Sequence, residues 1–263
     1  MIKIVSAVMA MLLCVVFFAD GSVQAAAGVT DVPAIPAIHR NRYYPSNRAP
    51  LLPSPVVKLP PGSVLPAGWL HHMLMLEARG YVGHLDHISD WCNYKISAWV
   101  HPDGKGQNGF EEVPYWLRGL GDLGFVTGDK RVIKKAKKWL DGVMSTARPS
   151  GYFGPASNRH SMPNGRPDCW PDMPVIQALR SYYEYSHDPR VIKLLTNYFQ
   201  WMLRQNHHIF TDGWGASRWS EDAESVYWLY NRTGQKFLLK LGKRIEKDSH
   251  GGGWKCLVVT CNG

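Results

Sequence analysis

Three nine-residue words recur along this chain: "TGDKRVIKK" from Thr127, "SHDPRVIKL" from Ser186 and "TGQKFLLKL" from Thr233. Each falls between two apolar stripes of helical period, so each reads as the corner of a helical hairpin. Before the first corner, Val113, Trp116, Leu117 and Leu120 fall at i, i+3, i+4 and i+7; after it, Val132, Ala136, Trp139, Leu140 and Val143 do the same. Gly128 suits a left-handed helix end and Asp129 a cap for the helix that follows. The second hairpin pairs Ile176, Leu179 and Tyr183 with Val191, Leu195, Tyr198, Phe199 and Met202, and Asp188-Pro189 supplies a cap and a first-turn proline. The third is "AESVYWLYNRTGQKFLLKLGKRIEK". Asp129 and Asp188 stand 59 positions apart (188 minus 129), and Asp188 and Gln235 stand 47 apart (235 minus 188). Repeated helix pairs stack into a solenoid or close into a toroid.

The connections between hairpins favour the toroid. They are long and rich in Gly, Pro and aromatics, as in "RPSGYFGPASNRHSMPNGRPDCWPD" and "NHHIFTDGWGASRWSED". A plain scaffold keeps such links short, so these are expected to work. Short corners at one end and long loops gathered at the other, at 148–171 and 206–220, fit an (α/α) barrel. A weaker helical segment precedes them, with Trp69, Leu70, Met73 and Leu76 in one stripe and Val82, Leu85 and Ile88 in another. Residues 28–63 carry a proline-rich, aperiodic leader, expected to run extended over the domain or to act as a linker.

At the chain start, Lys3 precedes an apolar run at 4–18 and then "GSVQAAAG", the pattern of a secretory signal peptide cleaved after Ala25 or Ala27. That run is too short to span a bilayer. The expectation is a signal peptide at 1–27 and a mature protein, secreted or periplasmic, that is not held in a membrane. Cys92, Cys169, Cys256 and Cys261 then remain, at spacings that match neither a dense disulfide framework nor a metal knuckle. Buried thiols, or at most one bridge, are expected.

The net charge of +9 raises the question of nucleic acid, but much of it is clustered at Lys130, Arg131, Lys134, Lys135, Lys137 and Lys138, opposite the apolar stripe of one helix. A solvated outer face accounts for that run, with a polyanion site as the lesser alternative, and no nucleic-acid-binding motif accompanies it. His84, His87 and Asp90 at i, i+3 and i+6 read as surface or capping groups, and no metal site is assigned. The chain has no G-x-S-x-G, P-loop or dinucleotide fingerprint.

Chemistry concentrates where the inner helix of each hairpin begins. Glu111, Glu112, Tyr115 and Trp116 open the first; Trp170 and Asp172 open the second; Trp219, Glu221, Asp222 and Glu224 open the third. Sugars present apolar C–H faces and hydroxyl rims, matched by flat aromatic rings beside carboxylates. Glu111, Glu112, Tyr115, Trp116, Trp170, Asp172, Trp219 and Asp222 are therefore the candidate substrate-binding residues. The competing explanation places the acids at helix starts for the dipole and the tryptophans in the core.

The words "LPPGSVLPAGWL", "GYVGHLDHISD", "EEVPYWLRGLGDLGFVTGDKRVIKKAKKWLD", "GYFGP" and "ESVYWLYNRTG" resemble the catalytic domain of the β-L-arabinofuranosidase-like glycoside hydrolases, family 127 and relatives, over about residues 57–249. The resemblance implies an all-α fold, an (α/α)6 barrel of the six-hairpin glycosidase type, acting on plant-type arabinosyl glycans. It also implies a cysteine nucleophile on a zinc ion held by cysteines and a glutamate, with a second glutamate as acid/base. Those groups lie later in the family's chain, so no catalytic residue and no cofactor is assigned here. Cys256 and Cys261 do not match the family's cysteine pattern. Residues 64–249 are thus expected to form an incomplete barrel, an N-terminal fragment of the catalytic domain, with 250–263 an atypical tail. A uronic-acid glycosidase of the same architecture and a non-catalytic carbohydrate-binding helical protein are the alternatives.

Overall fold

The computed structural model describes residues 46–54, 56–205, 209 and 213–249. Within them lie α1 (Gly68–Arg79), α2 (Tyr81–Ile88), α3 (Glu112–Thr127), α4 (Lys130–Ser145), α5 (Asp172–Ser186), α6 (Pro189–Arg204), the short α7 (Gly213–Ser217), α8 (Trp219–Thr233) and α9 (Lys236–Ser249). Extended pairing among the described residues is confined to two isolated bridges, Ser97 with Gln107 and Met162 with Arg166.

The three corners are built alike. Thr127, Ser186 and Thr233 each end a helix by donating a hydroxyl hydrogen bond back one turn, to the carbonyls of Leu123, Tyr182 and Leu229. The next residue (Gly128, His187 or Gly234) is left-handed at φ 71°, 58° and 70°. Its N–H closes the helix on the carbonyl of Gly124, Tyr183 or Tyr230, in each case at 2.8 Å. The following residue then donates its N–H to the same hydroxyl. Asp129 and Asp188 cap α4 and α6, accepting from Arg131 and Val132 and from Arg190. Glycine takes the left-handed conformation without a Cβ penalty, whereas His187 adopts it as a side-chain-bearing residue.

α3, α5 and α8 run parallel in an inner layer. The α3–α5 pairing is fixed at both ends. Tyr115 lies 6.5 Å from Trp170 near the starts, and Phe125 stacks on Tyr185 at 4.5 Å near the corners. The α5–α8 register is set by Gln177 on Glu221, Arg180 on Ser225 and Glu184 on Trp228. α4, α6 and α9 form the outer layer. Their apolar stripes match expectation: Val132, Ala136, Trp139, Leu140 and Val143 on α4, and Val191, Leu195, Tyr198, Phe199 and Met202 on α6, are all buried. Trp139 joins the layers, meeting Trp116 edge to face at 5.2 Å.

The link from α4 to α5 leaves from the end opposite the corners, as the barrel pattern requires. It is held by its own contacts: Gly154 N–H donates to Thr146 Oγ1, and Arg148 donates to the carbonyls of Gly154 and Asp103. Tyr152 and Phe153 are fully buried against Tyr198. The second long link is not all loop. Gly213–Ser217 is a short helix and Trp219 already belongs to α8.

The described part of the proline-rich leader, without helix or strand, runs over the corner end and turns at Ala49–Pro50 and Pro61–Gly62. Arg48 N–H and Asn47 Oδ1 bond the Asn231 side chain, Tyr230 donates to the Ala49 carbonyl, and Lys58 reaches Glu184 at 3.2 Å. The first apolar stripe departs from expectation: Trp69, Leu70, Met73 and Leu76 are 77%, 44%, 50% and 50% exposed. α1 packs chiefly on α2 and α3, and Ala78 is its one buried residue among those described. Residues 1–27, expected to be a signal peptide, and Cys256, Cys261 and the 250–263 tail lie outside the described residues.

Candidate functional site

Each inner helix has two faces. One joins the hydrophobic core; the other carries a polar stripe at helical spacing. On α3 and the residue before it that stripe is Glu111, Tyr115, Arg118 and Asp122; on α5 it is Gln177, Arg180 and Glu184; on α8 it is Glu221, Glu224, Trp228 and Arg232. Parallel packing sets these stripes side by side, and those of α5 and α8 are joined by hydrogen bonds.

At the helix starts, Arg218 stands at the head of the third inner helix, within electrostatic reach of Tyr115 and Glu111 on the first. It donates to Glu221 at 2.9 Å. That bond, with Tyr115 and Glu111 nearby, holds its guanidinium further toward the charged form. Glu111 and Glu112 are exposed and Tyr115 is half-buried. Beside them Phe110, Tyr115 and Trp214 surround Trp170, with ring centres 5.4, 6.5 and 6.1 Å from it. Trp214 is 64% exposed and offers a flat accessible ring, the kind of surface that meets a sugar face.

Deeper, toward the corners, the polar groups are paired. Arg180 donates to Ser225 Oγ at 2.9 Å and to Glu224 Oε1 at 2.7 Å. Burial tends to raise the Glu224 carboxyl, but the Arg180 bond and charge outweigh it and the net shift is downward. Glu184 accepts from Trp228 Nε1 at 2.7 Å and from Arg232 at 3.2 Å. Burial pushes Arg232 down to about 10 despite the Glu184 charge, and its guanidinium lies 3.9 Å over the Trp228 ring. Arg180, Arg218 and Arg232 are each matched by a carboxylate, so the inner face is close to neutral.

The sequence-selected residues divide cleanly. Glu111 and Glu112 are exposed and Tyr115 is half-buried at the start of α3, with Glu112 outside the polar stripe. Trp116, Trp170, Asp172, Trp219 and Asp222 do not form an open rim. Trp116 is 6% exposed and donates to the Val82 carbonyl. Trp170 is 4% exposed at the centre of the aromatic group, backing it rather than facing solvent, and Trp219 is 9% exposed. Asp172 and Asp222 are fully buried. Asp172 accepts from Tyr198 at 2.7 Å; both oxygens of Asp222 lack a hydrogen-bond partner. Burial pushes both carboxyls well above the usual range, with Asp222 adding to the effect on Asp172 and Glu221 to that on Asp222. The reason is phase. Trp116 falls three residues after Val113 and four before Leu120, and Asp222 falls four before Val226 and seven before Leu229, so both share the stripe that faces the core. Phe110, Arg118, Arg180, Trp214 and Arg218 were missed, although Phe110 and Trp214 stand beside the acids and glycines that draw attention in "GFEE" and "DGWG".

The described cysteines sit in surroundings that favour the thiol over the thiolate. Cys92 and Cys169 are buried free thiols, as expected; burial raises Cys92 to about 11 and Cys169 well above its ordinary value. Among the described residues no group of three or more His, Cys, Asp or Glu is placed to hold a metal ion, so these residues do not fit the zinc that the resemblance implies. His84 bonds the Gly80 carbonyl and His87 stands beside Asp86, in surface roles. No described helix is long and apolar enough to cross a membrane.

No curated protein and no solved structure matches the chain. The family profile described as Beta-L-arabinofuranosidase, GH127 catalytic domain, matches residues 84–252, a span that includes all three hairpins and the polar inner face. With well over half its length matched, this chain belongs to the glycoside hydrolase family 127 β-L-arabinofuranosidase catalytic-domain family.

Proposed function

We propose that the chain is an exported glycoside hydrolase of β-L-arabinofuranosidase type, whose inner face receives arabinosyl units of plant-type glycans at the start of α3. The observation that carries this reading is the mouth itself: Glu111, Tyr115, Arg218 and Glu221 brought together beside the exposed ring of Trp214, inside the span matched by the family. Hydroxyl-rich ligands need this mixture of acceptors, donors and flat apolar surface. The near-neutral pairing of the inner arginines favours a neutral pentose over a uronate. Export rests on the signal-peptide pattern of residues 1–27. The three hairpins are read as part of the six-hairpin ring that the resemblance implies, with the nucleophile and any zinc supplied by groups outside the described residues.

The test separates binding from turnover. Titration with an arabinosyl oligosaccharide is expected to quench tryptophan fluorescence through Trp214, and Tyr115→Ala or Trp214→Ala to weaken it by roughly tenfold, in line with the loss of one stacking contact of about 1 kcal/mol or more. Because Cys92 and Cys169 are buried and the nucleophile is read as lying elsewhere, Cys92→Ala and Cys169→Ala are expected to leave any hydrolysis of a chromogenic β-L-arabinofuranoside unchanged. Robust hydrolysis abolished by Glu111→Gln would instead put the catalytic centre at the first inner helix.

A further inference from the structure

The outer wall has the opposite character to the inner face. α4, α6 and α9 together carry fourteen lysines and arginines against three carboxylates, so this layer holds a large positive excess. Exposed lysines form rows, Lys130, Lys134 and Lys138 on α4 and Lys236, Lys240, Lys243 and Lys247 on α9. A four-residue step along such a row is about 6 Å. Between the rows stands α6, with Lys193 exposed and without a carboxylate partner among the described residues. Two hollows flank that helix. One, of about 290 Å³, is lined by Met144, Arg148, Leu194, Asn197 and the ion pair of Arg190 with Asp141; the other, of about 440 Å³, by Tyr183, Ile192, Thr196, Asn197 and Gln235. Lys193 lines both.

We infer that this wall is a second carbohydrate site, separate from the inner face, which holds a strand of acidic polysaccharide across α6. This rests on the carbohydrate reading of the chain. The unpaired cations attract carboxylates along the strand through released counterions. The hollows on either side of Lys193 offer amides for hydroxyls and aliphatic floors for C–H faces. Single-stranded nucleic acid fits less well, since α4, α6 and α9 expose no large aromatic ring on which a base could stack. The site would hold the enzyme on a charged matrix while neutral side chains reach the inner mouth.

Affinity electrophoresis of the full chain through gels containing polygalacturonate or neutral arabinan tests the inference, with duplex DNA as a competitor. The chain should be retarded by polygalacturonate, and raising salt should release it. Lys193→Glu should weaken retention by roughly tenfold, as loss of a central cation in a polyelectrolyte contact does, and Lys193→Gln by less. Thermal melting should confirm that both variants are folded. Tyr115→Ala should be retained like the parent. Undiminished retention of Lys193→Glu, or DNA competing as well as soluble polygalacturonate, would overturn it. The inner-face reading fails separately, through loss of arabinosyl binding with polygalacturonate retention intact.

Discussion

The inner and outer helices differ in what their second face must do. An outer helix buries one stripe and gives the rest to water, so lysines cost it little and its pattern is strongly amphipathic. An inner helix is flanked on both sides and backed by the outer layer. On α5, buried positions include Asp172, Arg180, Ser181 and Glu184 alongside the apolar residues. An unpaired buried charge is costly, so a polar group in such a place is paired or, as at Asp222, pushed by burial toward its neutral form. The inner charges are accordingly matched across α5 and α8, whereas several outer lysines have no partner. That difference makes one wall a structured recognition surface and the other a diffuse electrostatic one.

The contrast is sharpest under mutation. Glu184→Ala removes the acceptor of Trp228 and Arg232 and leaves a buried guanidinium unpaired, an expected loss of about 3–5 kcal/mol. Urea denaturation measures it; a loss below that of an outer-wall pair would erase the distinction. Asp222→Asn should act in the opposite direction. Burial raises the folded-state pKa of Asp222, so its contribution is fully present below the unfolded carboxylate value of about 3.9 and is lost as pH rises through the folded value. Asparagine has no proton to lose. The variant's melting temperature should therefore match the parent near pH 4 and rise above it as pH increases, and a constant offset across pH would show that Asp222 does not titrate this way.

Smaller effects belong to the corners and the surface. Asp129→Ala and Asp188→Ala should each cost about 1 kcal/mol through loss of a cap. Gln235→Asp, which copies those caps onto α9, should gain about 0.5–1 kcal/mol. Least of all, Lys137→Ala breaks an exposed pair with Asp141 at 2.6 Å and should change stability by under about 1 kcal/mol.

The hairpins were readable in the sequence because each corner is local: a hydroxyl and a left-handed residue are adjacent, followed at the first two corners by an aspartate cap, and short-range hydrogen bonds enforce them. The mouth was only half readable. Position along a helix places Asp172 and Asp222 near the helix starts, but which side of the helix a residue faces depends on its phase against both neighbours. The stripe running through Glu111, Tyr115, Arg118 and Asp122 was present at spacings of four, three and four, yet acids beside aromatics drew the selection toward the buried phase. For α1 the stripe was legible and its burial was not, since periodicity names a face without supplying its partner.

The central claim is that glycan recognition belongs to the mouth of the inner layer. Backbone amide NMR during titration with a neutral arabinosyl oligosaccharide addresses it most directly. Shifts concentrated at Glu111, Tyr115, Trp214, Arg218 and Glu221, with α4, α6 and α9 unmoved, are the predicted result. Shifts confined to the outer helices, or to the exposed stripe of α1, would contradict it.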